Sequence, residues 1–345
     1  MKKITRTFRK YWQKEALKIN WIKKPKKIFD NHRSRFKWYK DGKINAFNLC
    51  VEQHKILNKD KVCIDYYDKN KILSEFTFGE LSNYVQNLAY ILDKTSKKKK
   101  IKNVIIYGSS SIETTISMFA CSQLGIHFSV IFQDLSSDAV ILRSKLLKAD
   151  FMISRCTDQL IYEKLISSRL FNKKNIIFFH KDEKINLNGI KKIDLDYLKI
   201  DKKFNLIKKI NSDKNFFTLF TSGSTGKPKG VMHSIGGYLV YANHTCRLKF
   251  GIKKSSVILT ASDAGWINGH TYALFGPLSV GSKTVILERP ALLLDEIFLW
   301  EVLLRSKVSI LYLPVTLIRM MKSLFIKKFK NKYIKTLGSM GEPLA

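Results

Sequence analysis

The run VIIYGSSSIETTISMFACSQLGIHFSVIF, residues 104–132, decides the fold class. Val104–Tyr107 is wholly apolar and rich in β-branched residues, which suits a strand buried on both faces. Ser111–Leu124 reads as a helix ended by Gly125. Phe128–Phe132 then reads as a second buried strand. A strand, a helix and a strand in succession form a parallel crossover unit. The same rhythm continues with Asp138–Leu147 as helix and Phe151–Ser154 as strand. The expected fold class is therefore α/β, with parallel or mixed sheets flanked by helices.

The pattern extends both ways from this unit. Upstream, Val62–Tyr67 and Phe76–Phe78 read as strands. Asn45–Asn58 reads as a helix with Asn45 as N-cap, and Leu81, Val85, Leu88, Ala89 and Leu92 give Gly79–Leu92 helical spacing. Met1–Lys43, rich in Lys and Trp, reads as a helical, irregular segment wrapped around a domain. Downstream, Asn175–Phe179 and Phe216–Thr221 read as strands. Lys181–Lys214, full of Lys, Asn and Asp, is expected at the surface. Val257–Thr260, Lys283–Leu287 and Ser309–Leu313 alternate again with helical segments.

Composition bounds the function. A chain of 345 residues has length for about two domains or one large one. Apolar residues make up 45% and charged residues 26%, which excludes wholesale disorder. Sixty-two Lys and Arg against 28 Asp and Glu leave a net charge of +34. That surplus admits nucleic acid, an anionic membrane or an anionic small substrate. The lysines are spread along the whole chain rather than gathered into one arm, as in proteins encoded by AT-rich genomes. Five cysteines (Cys50, Cys63, Cys121, Cys156, Cys246) are odd in number and form no Cys-x-x-Cys pair. They argue against a zinc ribbon or disulfide scaffold and for a reducing compartment, so the cytoplasm is expected. Met1–Asn20 has no apolar core of signal-peptide length. The most apolar stretch, Ile116–Phe132, is broken by Ser117, Gln123, His127 and Ser129, so no spanning helix and no membrane partner are expected.

The strongest local signal is Thr221-Ser222-Gly223-Ser224-Thr225-Gly226-Lys227-Pro228-Lys229-Gly230. It follows an apolar strand, and Val231–Arg247 is expected to form the helix after it. Three glycines let the backbone turn tightly and approach a ligand. Backbone N–H groups in such a turn make an anion nest, with hydroxyls from Ser222, Ser224 and Thr225 and charge from Lys227 and Lys229. Phosphate is the expected guest. The nucleoside-triphosphatase loop, Gly-x-x-x-x-Gly-Lys-Ser/Thr, is not met, because Thr221 stands at its first glycine and Pro228 follows Lys227.

TSGSTGKPKG resembles the phosphate-binding signature of the adenylate-forming superfamily of acyl- and aryl-CoA synthetases. Ala261–Tyr272 with Phe275-Gly276-Pro277-Leu278 is similar to the acyl-pocket segment of the acetyl-coenzyme A synthetases. Gly338-Ser339-Met340-Gly341-Glu342-Pro343 is similar to that family's adenine-side loop. Tyr11-Trp12, Asn20-Trp21, Lys37-Trp38-Tyr39, Asp41-Gly42 and Asn45 are similar to its amino-terminal extension. So is the run Cys121–Phe132 with Ala139-Val140 and Arg143 to the corresponding family segment. The resemblance runs from about residue 11 to the last residue. It implies the large amino-terminal domain of the adenylate-forming enzymes, with residues 1–60 as extension and 61–345 as an incomplete AMP-binding domain.

The resemblance implies a reaction and a site. Acetate attacks the α-phosphate of Mg-ATP to give acetyl-adenylate and pyrophosphate, and the thiol of coenzyme A then gives acetyl-CoA and AMP. Thr221, Ser222, Gly223, Ser224, Thr225, Gly226, Lys227, Lys229 and Gly230 would hold the phosphates. Gly341, Glu342 and Pro343 would line the adenine and ribose, Glu342 as a buried carboxylate. Trp266, Ile267, Asn268 and Met340 would border the acyl pocket and the CoA channel. Met340 replaces a smaller aliphatic residue and should favour acetate over propionate, while Asn268 stands for the usual Thr. His233 and His270 are acid–base candidates the chemistry does not demand. The implied cofactors are ATP, Mg²⁺ and coenzyme A, with no metal site of the protein's own.

Two departures accompany the resemblance. The family's aromatic-Thr-Glu loop, its ribose-binding Asp and its lysine-bearing domain find no counterpart up to Ala345, so a separately encoded carboxy-terminal half is one expected partner. The CoA side has Gln133-Asp134 where glycines are usual, and Cys156–Glu163 holds no arginine. The alternatives are an inactive remnant or split half that binds ATP only, a propionate–CoA ligase, and a basic nucleic-acid-binding protein. The last would need a basic face with exposed aromatics, and no such module is visible, so no nucleic acid partner is expected.

Overall fold

The computed structural model describes residues 6–32, 35–98, 100–155, 159–179, 189–199, 204–221, 227–324 and 331–343. The deciding run folds as its pattern requires. Asn103–Tyr107 and His127–Ile131 pair in parallel, joined by the helix Ile112–Leu124. Ser111 caps that helix by accepting from the Thr114 N–H at 3.1 Å, and Gly125 ends it in the left-handed region at φ 63°. All of its residues except Glu113 are buried, which explains why it carries almost no polar face.

Two larger sheets organise the molecule. The first has the order Lys191–Ile193, Ile176–Phe179, Phe151–Ser154, Asn103–Tyr107, His127–Ile131, Asn215–Thr221, Lys229–Ser234. All its pairs are parallel except the last. The second has the order Thr336–Met340, Ile310–Pro314, Val257–Thr260, Lys283–Leu287, Val62–Tyr67, Leu73–Thr77, again parallel except for its last pair. One core joins them. Leu88 and Phe119, from the helices Phe78–Lys98 and Ile112–Leu124, belong to the same buried cluster as Ile106 of the first sheet and Ile64 and Ile286 of the second. Parallel strands buried on both faces in this way account for the continuous apolar runs in the sequence.

The carboxyl ends of the strands meet at a charged junction. Arg155, directly after Phe151–Ser154, places Nη1 2.7 Å from Glu288 Oε1 and Nε 3.1 Å from Glu113. Glu288 follows Lys283–Leu287 and accepts from the Tyr66 hydroxyl at 2.8 Å and the Lys69 N–H at 3.0 Å. Burial pushes the Glu288 carboxyl up, but Arg155, Tyr66 and Lys69 outweigh it and hold it below its ordinary range.

The amino-terminal segment wraps the fold, as expected. It carries the helix Arg6–Ala16 and the hairpin Phe29–His32 with Arg35–Trp38. Glu15 is buried and meets two cations, Lys18 and Arg247 with Nη2 at 2.8 Å, and the His244 ring with Nδ1 at 2.8 Å. Asn45 caps its helix by accepting from the Asn48 N–H, and its amide donates to the carbonyls of Gln123 and Lys208 at 3.0 Å. The helix it starts contains a π-helical stretch, Asn48–Glu52, before Gln53–Leu57.

Three expectations change. The stretch Lys181–Lys214 is not simply surface: among its described residues Ile190, Ile193, Leu198 and Ile210 are buried. Isolated apolar residues in a Lys-rich run anchor it, and Asn87 Nδ2 fixes it by donating to the Leu198 carbonyl at 2.7 Å. Phe76–Phe78 divides between the strand Leu73–Thr77 and a helix that starts at Phe78. The glycine loop does not lead into a helix. Lys229–Ser234 is a strand antiparallel to Asn215–Thr221, and the helix Ile235–Lys249 starts only after Ser234. The β-branched and aromatic residues on both sides of the loop pair with each other before the helical pattern begins.

Candidate functional site

The glycine loop connects a hairpin. Thr221 stands opposite Lys229 and Phe220 opposite Gly230 at its base. A Cβ at Gly230 would lie 3.0 Å from the Thr218 methyl and 3.2 Å from the Phe220 ring, so the tight cross-strand contact favours glycine there. Ser222, Gly223, Ser224, Thr225 and Gly226 lie outside the described residues. Thr221, Lys227 and Lys229 are exposed at the stem, where an ammonium group and a hydroxyl can meet an anion.

The strand leaving the loop lies at one end of the first sheet's order and is largely exposed, with Met232 at 63%. Its inner residue, His233, stacks on Phe217 with ring centroids 4.8 Å apart. Burial pulls the His233 imidazole below its ordinary value, which favours the neutral ring.

After Val257–Thr260 the chain makes a compact turn. The Asp263 carboxylate accepts from the Gly265 N–H at 2.8 Å, and the Ala264 N–H donates to Ser110 Oγ at 2.7 Å. A Cβ at Gly269 would sit 2.1 Å from the Asp263 carbonyl oxygen, so no larger residue fits this turn unchanged. Burial, with a contribution from Asp134, pushes the Asp263 carboxyl up to about 6. Trp266 is exposed, with its ring 5.4 Å from that of Phe132, and Ile267 and Asn268 open the short helix Ile267–His270.

His270 is a core residue. It is fully buried between Phe217 and Phe128, its Nδ1 lies 3.2 Å from the Trp266 carbonyl, and burial pulls its pKa down to about 3. A neutral, enclosed imidazole of this kind sets the packing of the turn rather than exchanging protons with a substrate.

The third segment closes on the second. Asn268 Nδ2 lies 3.1 Å from Met340 Sδ, so the two acyl-pocket residues expected from opposite parts of the chain touch. Met340 is buried, while Gly341, Glu342 and Pro343 are exposed, and Gly341 takes φ 96° with open space where a Cβ would be. The expectation of a buried Glu342 is corrected. Its side chain is 41% exposed and pairs with Arg319 of the helix Val315–Leu324 at 2.9 Å. The strand Thr336–Met340 stands at one end of the order of its sheet, and the turn after it is exposed. Arg319 was not legible as a site residue, because only the fold brings its helix to this turn.

A cavity of ≈ 590 Å³ joins two of these segments. Ile267 and Asn268 line it together with Met232, His233 and Ser234 from the strand that leaves the glycine loop. Trp12 and Trp38 of the amino-terminal segment also line it. Thr221, Lys227, Lys229, Gly341, Glu342 and Pro343 are not among its lining.

On the side where a polyanionic CoA would be expected, the arginine nearest the substituted stretch is Arg155, and it is committed to Glu113 and Glu288. Among the described residues no group of three or more His, Cys, Asp or Glu could hold a metal ion. Magnesium in phosphate chemistry takes many of its ligands from phosphate and water, so a nucleotide can carry its own. Among the described residues, no helix is long and apolar enough to cross a membrane.

Residues 52–345 match the AMP-binding enzyme family, and residues 1–50 match the acetyl-coenzyme A synthetase N-terminus. Acetyl-coenzyme A synthetase of Magnetococcus marinus is 30% identical over 97% of this chain and 54% of its own length. Acetyl-coenzyme A synthetase 2 of Saccharomyces cerevisiae is 33% identical over 89% of this chain and 47% of its own length. Among solved structures, acetoacetyl-CoA synthetase from Streptomyces lividans superposes with a TM-score of 0.86 at 16% identity, over 98% of this chain and 53% of that one. The fold is thus shared with an acyl-CoA synthetase, and the chain spans about half the length of the curated relatives it matches. The chain belongs to the AMP-binding enzyme family, with an amino-terminal segment of the acetyl-coenzyme A synthetase kind.

Proposed function

We propose that the chain is the ATP- and carboxylate-binding portion of an AMP-forming acyl-CoA ligase, with acetate as the simplest acid it takes. The observation that carries this reading is the convergence at Asn268. That residue touches Met340 and shares a cavity with the strand that leaves the glycine loop. In the reaction, a carboxylate oxygen forms a bond to the α-phosphorus of ATP and pyrophosphate leaves. The thiolate of coenzyme A then bonds to the acyl carbon and AMP leaves.

Residues 221–230 position the β- and γ-phosphates, and Lys227 and Lys229 supply charge where it accumulates on pyrophosphate. Glu342 and Arg319 border the nucleoside at the open turn. No general base is needed, because the attacking carboxylate is already ionised, which agrees with the buried, neutral His270. Mg²⁺ would arrive with the phosphates. Residues 1–60 act as the extension and 61–345 as the AMP-binding domain, and a carboxy-terminal portion supplied by further sequence or a second chain would bring the lysine that adenylation requires and complete the reaction. Four buried free thiols (Cys50, Cys63, Cys121 and Cys246) suit a reducing compartment, and we place the protein in the cytoplasm on that ground.

The commitment of Arg155 to two carboxylates favours a second reading, in which the chain binds ATP but not coenzyme A. Titration calorimetry tests both. ATP should bind, and a Lys227→Ala, Lys229→Ala double variant should weaken it by about tenfold or more at low salt. Absence of ATP binding overturns the proposal. Coenzyme A binding as tight as that of ATP overturns the second reading. Acetate-dependent ATP–pyrophosphate exchange is expected to be absent from these 345 residues alone.

A further inference from the structure

The activation step has to bring together segments that leave different sheets. The glycine loop connects two strands of the first sheet, Asn215–Thr221 and Lys229–Ser234. The turn that carries Trp266, Ile267 and Asn268 follows Val257–Thr260 of the second. Reacting atoms must approach to about 3–3.5 Å, so a small shift of this turn would separate the acid from the α-phosphate. Its position relative to the first sheet therefore has to be fixed.

One side chain makes that connection with directional bonds. The loop Gly108–Ser111 follows Asn103–Tyr107 of the first sheet. It is anchored there on several sides: the Gly108 N–H donates to the Ile131 carbonyl at 3.2 Å, Thr114 Oγ1 donates to the Ser109 carbonyl at 2.7 Å, and Arg155 Nη1 donates to Ser109 Oγ at 3.0 Å. From this base Ser110, itself buried, reaches across to the turn. Its Oγ accepts from the Ala264 N–H at 2.7 Å, and its hydroxyl donates to the Asp263 carboxylate.

The turn moves as a unit. The Trp266 N–H donates to the Asp263 carbonyl at 3.0 Å, the His270 N–H donates to the Trp266 carbonyl at 3.1 Å, and Gly269 has no room for a Cβ. Whatever holds Asp263 and Ala264 thus also places Asn268. Packing alone leaves slack. Phe132 covers Gly265, but a cavity of ≈ 20 Å³, enough for about one water, lies among Ser110, Ser111, Thr115, Thr260 and Ser262.

We propose that Ser110 is a positioning residue for carboxylate activation: it pins the turn 263–268 to the first sheet and so sets the acyl end of the site against the phosphate-binding loop. The inference rests on the carboxylate-activating reading above. Ser110 neither touches substrate nor moves a proton.

A ligand that reaches the turn reads its position, and one that stops short does not. The 345-residue chain is titrated by calorimetry with ATP, AMP and the ethyl ester of AMP. The ethyl group stands where the acyl group would, and should tighten binding over AMP roughly tenfold. Ser110→Ala should cut that gain at least threefold and leave ATP and AMP within twofold of the wild type. Ser110→Thr keeps the hydroxyl, has the ≈ 20 Å³ cavity beside it for the added methyl, and should restore the gain. Should Ser110→Ala not fold by circular dichroism, Ser110→Cys keeps the size with a much weaker hydrogen-bonding group and carries the same expectation. An ethyl gain unchanged in the alanine variant, equal weakening of all three nucleotides, or no recovery in Ser110→Thr would each overturn the role of Ser110. Absence of ATP binding to the wild-type chain is a different result, and overturns the activation reading on which the inference rests.

Discussion

Glu15 and Glu342 each pair with an arginine, and they sit in two very different parts of the molecule. Glu15 is 5% exposed, held by Arg247, His244 and Lys18 where the amino-terminal helix docks. Glu342 stands in the solvent-exposed turn after Thr336–Met340, against an Arg319 that is 55% exposed. The first pair is surrounded by satisfied groups: the Tyr39 hydroxyl donates to the Trp12 carbonyl, and the Trp21 indole N–H donates to the Ala16 carbonyl at 2.8 Å. The second adjoins Gly341, which has open space around it. Charge at the amino-terminal clamp is enclosed by packed groups, whereas charge at the carboxy-terminal margin is in contact with water.

The strongest way to sharpen that contrast is to remove a cation that two enclosed carboxylates share. Arg155→Ala leaves Glu113 and Glu288 facing each other without their partner. We expect a loss of ~3–5 kcal/mol, read as a lower urea midpoint with an unchanged slope. A loss under ~1 kcal/mol would mean that enclosed charge in this chain is no more stabilising than exposed charge.

The clamp comes next. Glu15 is pushed up by burial, but Lys18, Arg247 and His244 outweigh that and lower it from 4.5 to about 2. A carboxyl whose folded pKa is depressed stabilises the fold above its unfolded value and loses that contribution as pH falls through the folded one. The wild-type chain should therefore lose stability between pH 4.5 and about 2, by ~2 kcal/mol after allowance for solvent screening. Glu15→Gln should remove that part of the acid sensitivity, measured by thermal melts across the window.

Asp263 reverses the sign. Burial raises its pKa from 3.8 to about 6, so its charged form costs stability above pH 6, and the cost is relieved as pH falls toward 3.8. The expected size is ~2–3 kcal/mol between those limits. Asp263→Asn should flatten this segment of the profile. A profile that stays the same in the variant would show that another group titrates there.

How far the sequence revealed these features depends on what each residue contacts. The crossover run 104–132 was legible because its signals are local: an apolar strand and Gly125 as a helix stop act within a few residues, whereas the cap that Ser111 provides was not read. Asn45 was legible as a cap for the same reason, although its bonds to the Gln123 and Lys208 carbonyls were not. The hairpin around the glycine loop was misread, because Val231–His233 can follow either pattern and the choice is made by pairing with Phe217–Leu219. The contact between Asn268 and Met340 was only implied by resemblance, since 72 residues separate them. Arg155, Arg319 and the tryptophans lining the cavity depend wholly on tertiary placement. Local chemistry shows in the chain, and the chemistry made by long-range neighbours does not.

The smallest expected effect tests the other side of the comparison. Arg319→Ala removes the partner of Glu342 at a site where water can replace it on every side, so the folded state should lose less than ~0.5 kcal/mol. An exposed pair of this kind is also screened within a Debye length, so even that small difference should vanish on raising salt to ~1 M. Nucleotide binding should respond differently. Without Arg319 the Glu342 carboxylate is left as an unbalanced negative charge at the proposed nucleoside end of the site, and ATP should bind roughly three- to tenfold more weakly at low salt. Glu342→Gln together with Arg319→Ala removes both charges and should recover most of that affinity. The comparison breaks if the single variant melts several degrees lower while ATP binding is unchanged, for the margin would then be holding the fold as the amino-terminal clamp is expected to.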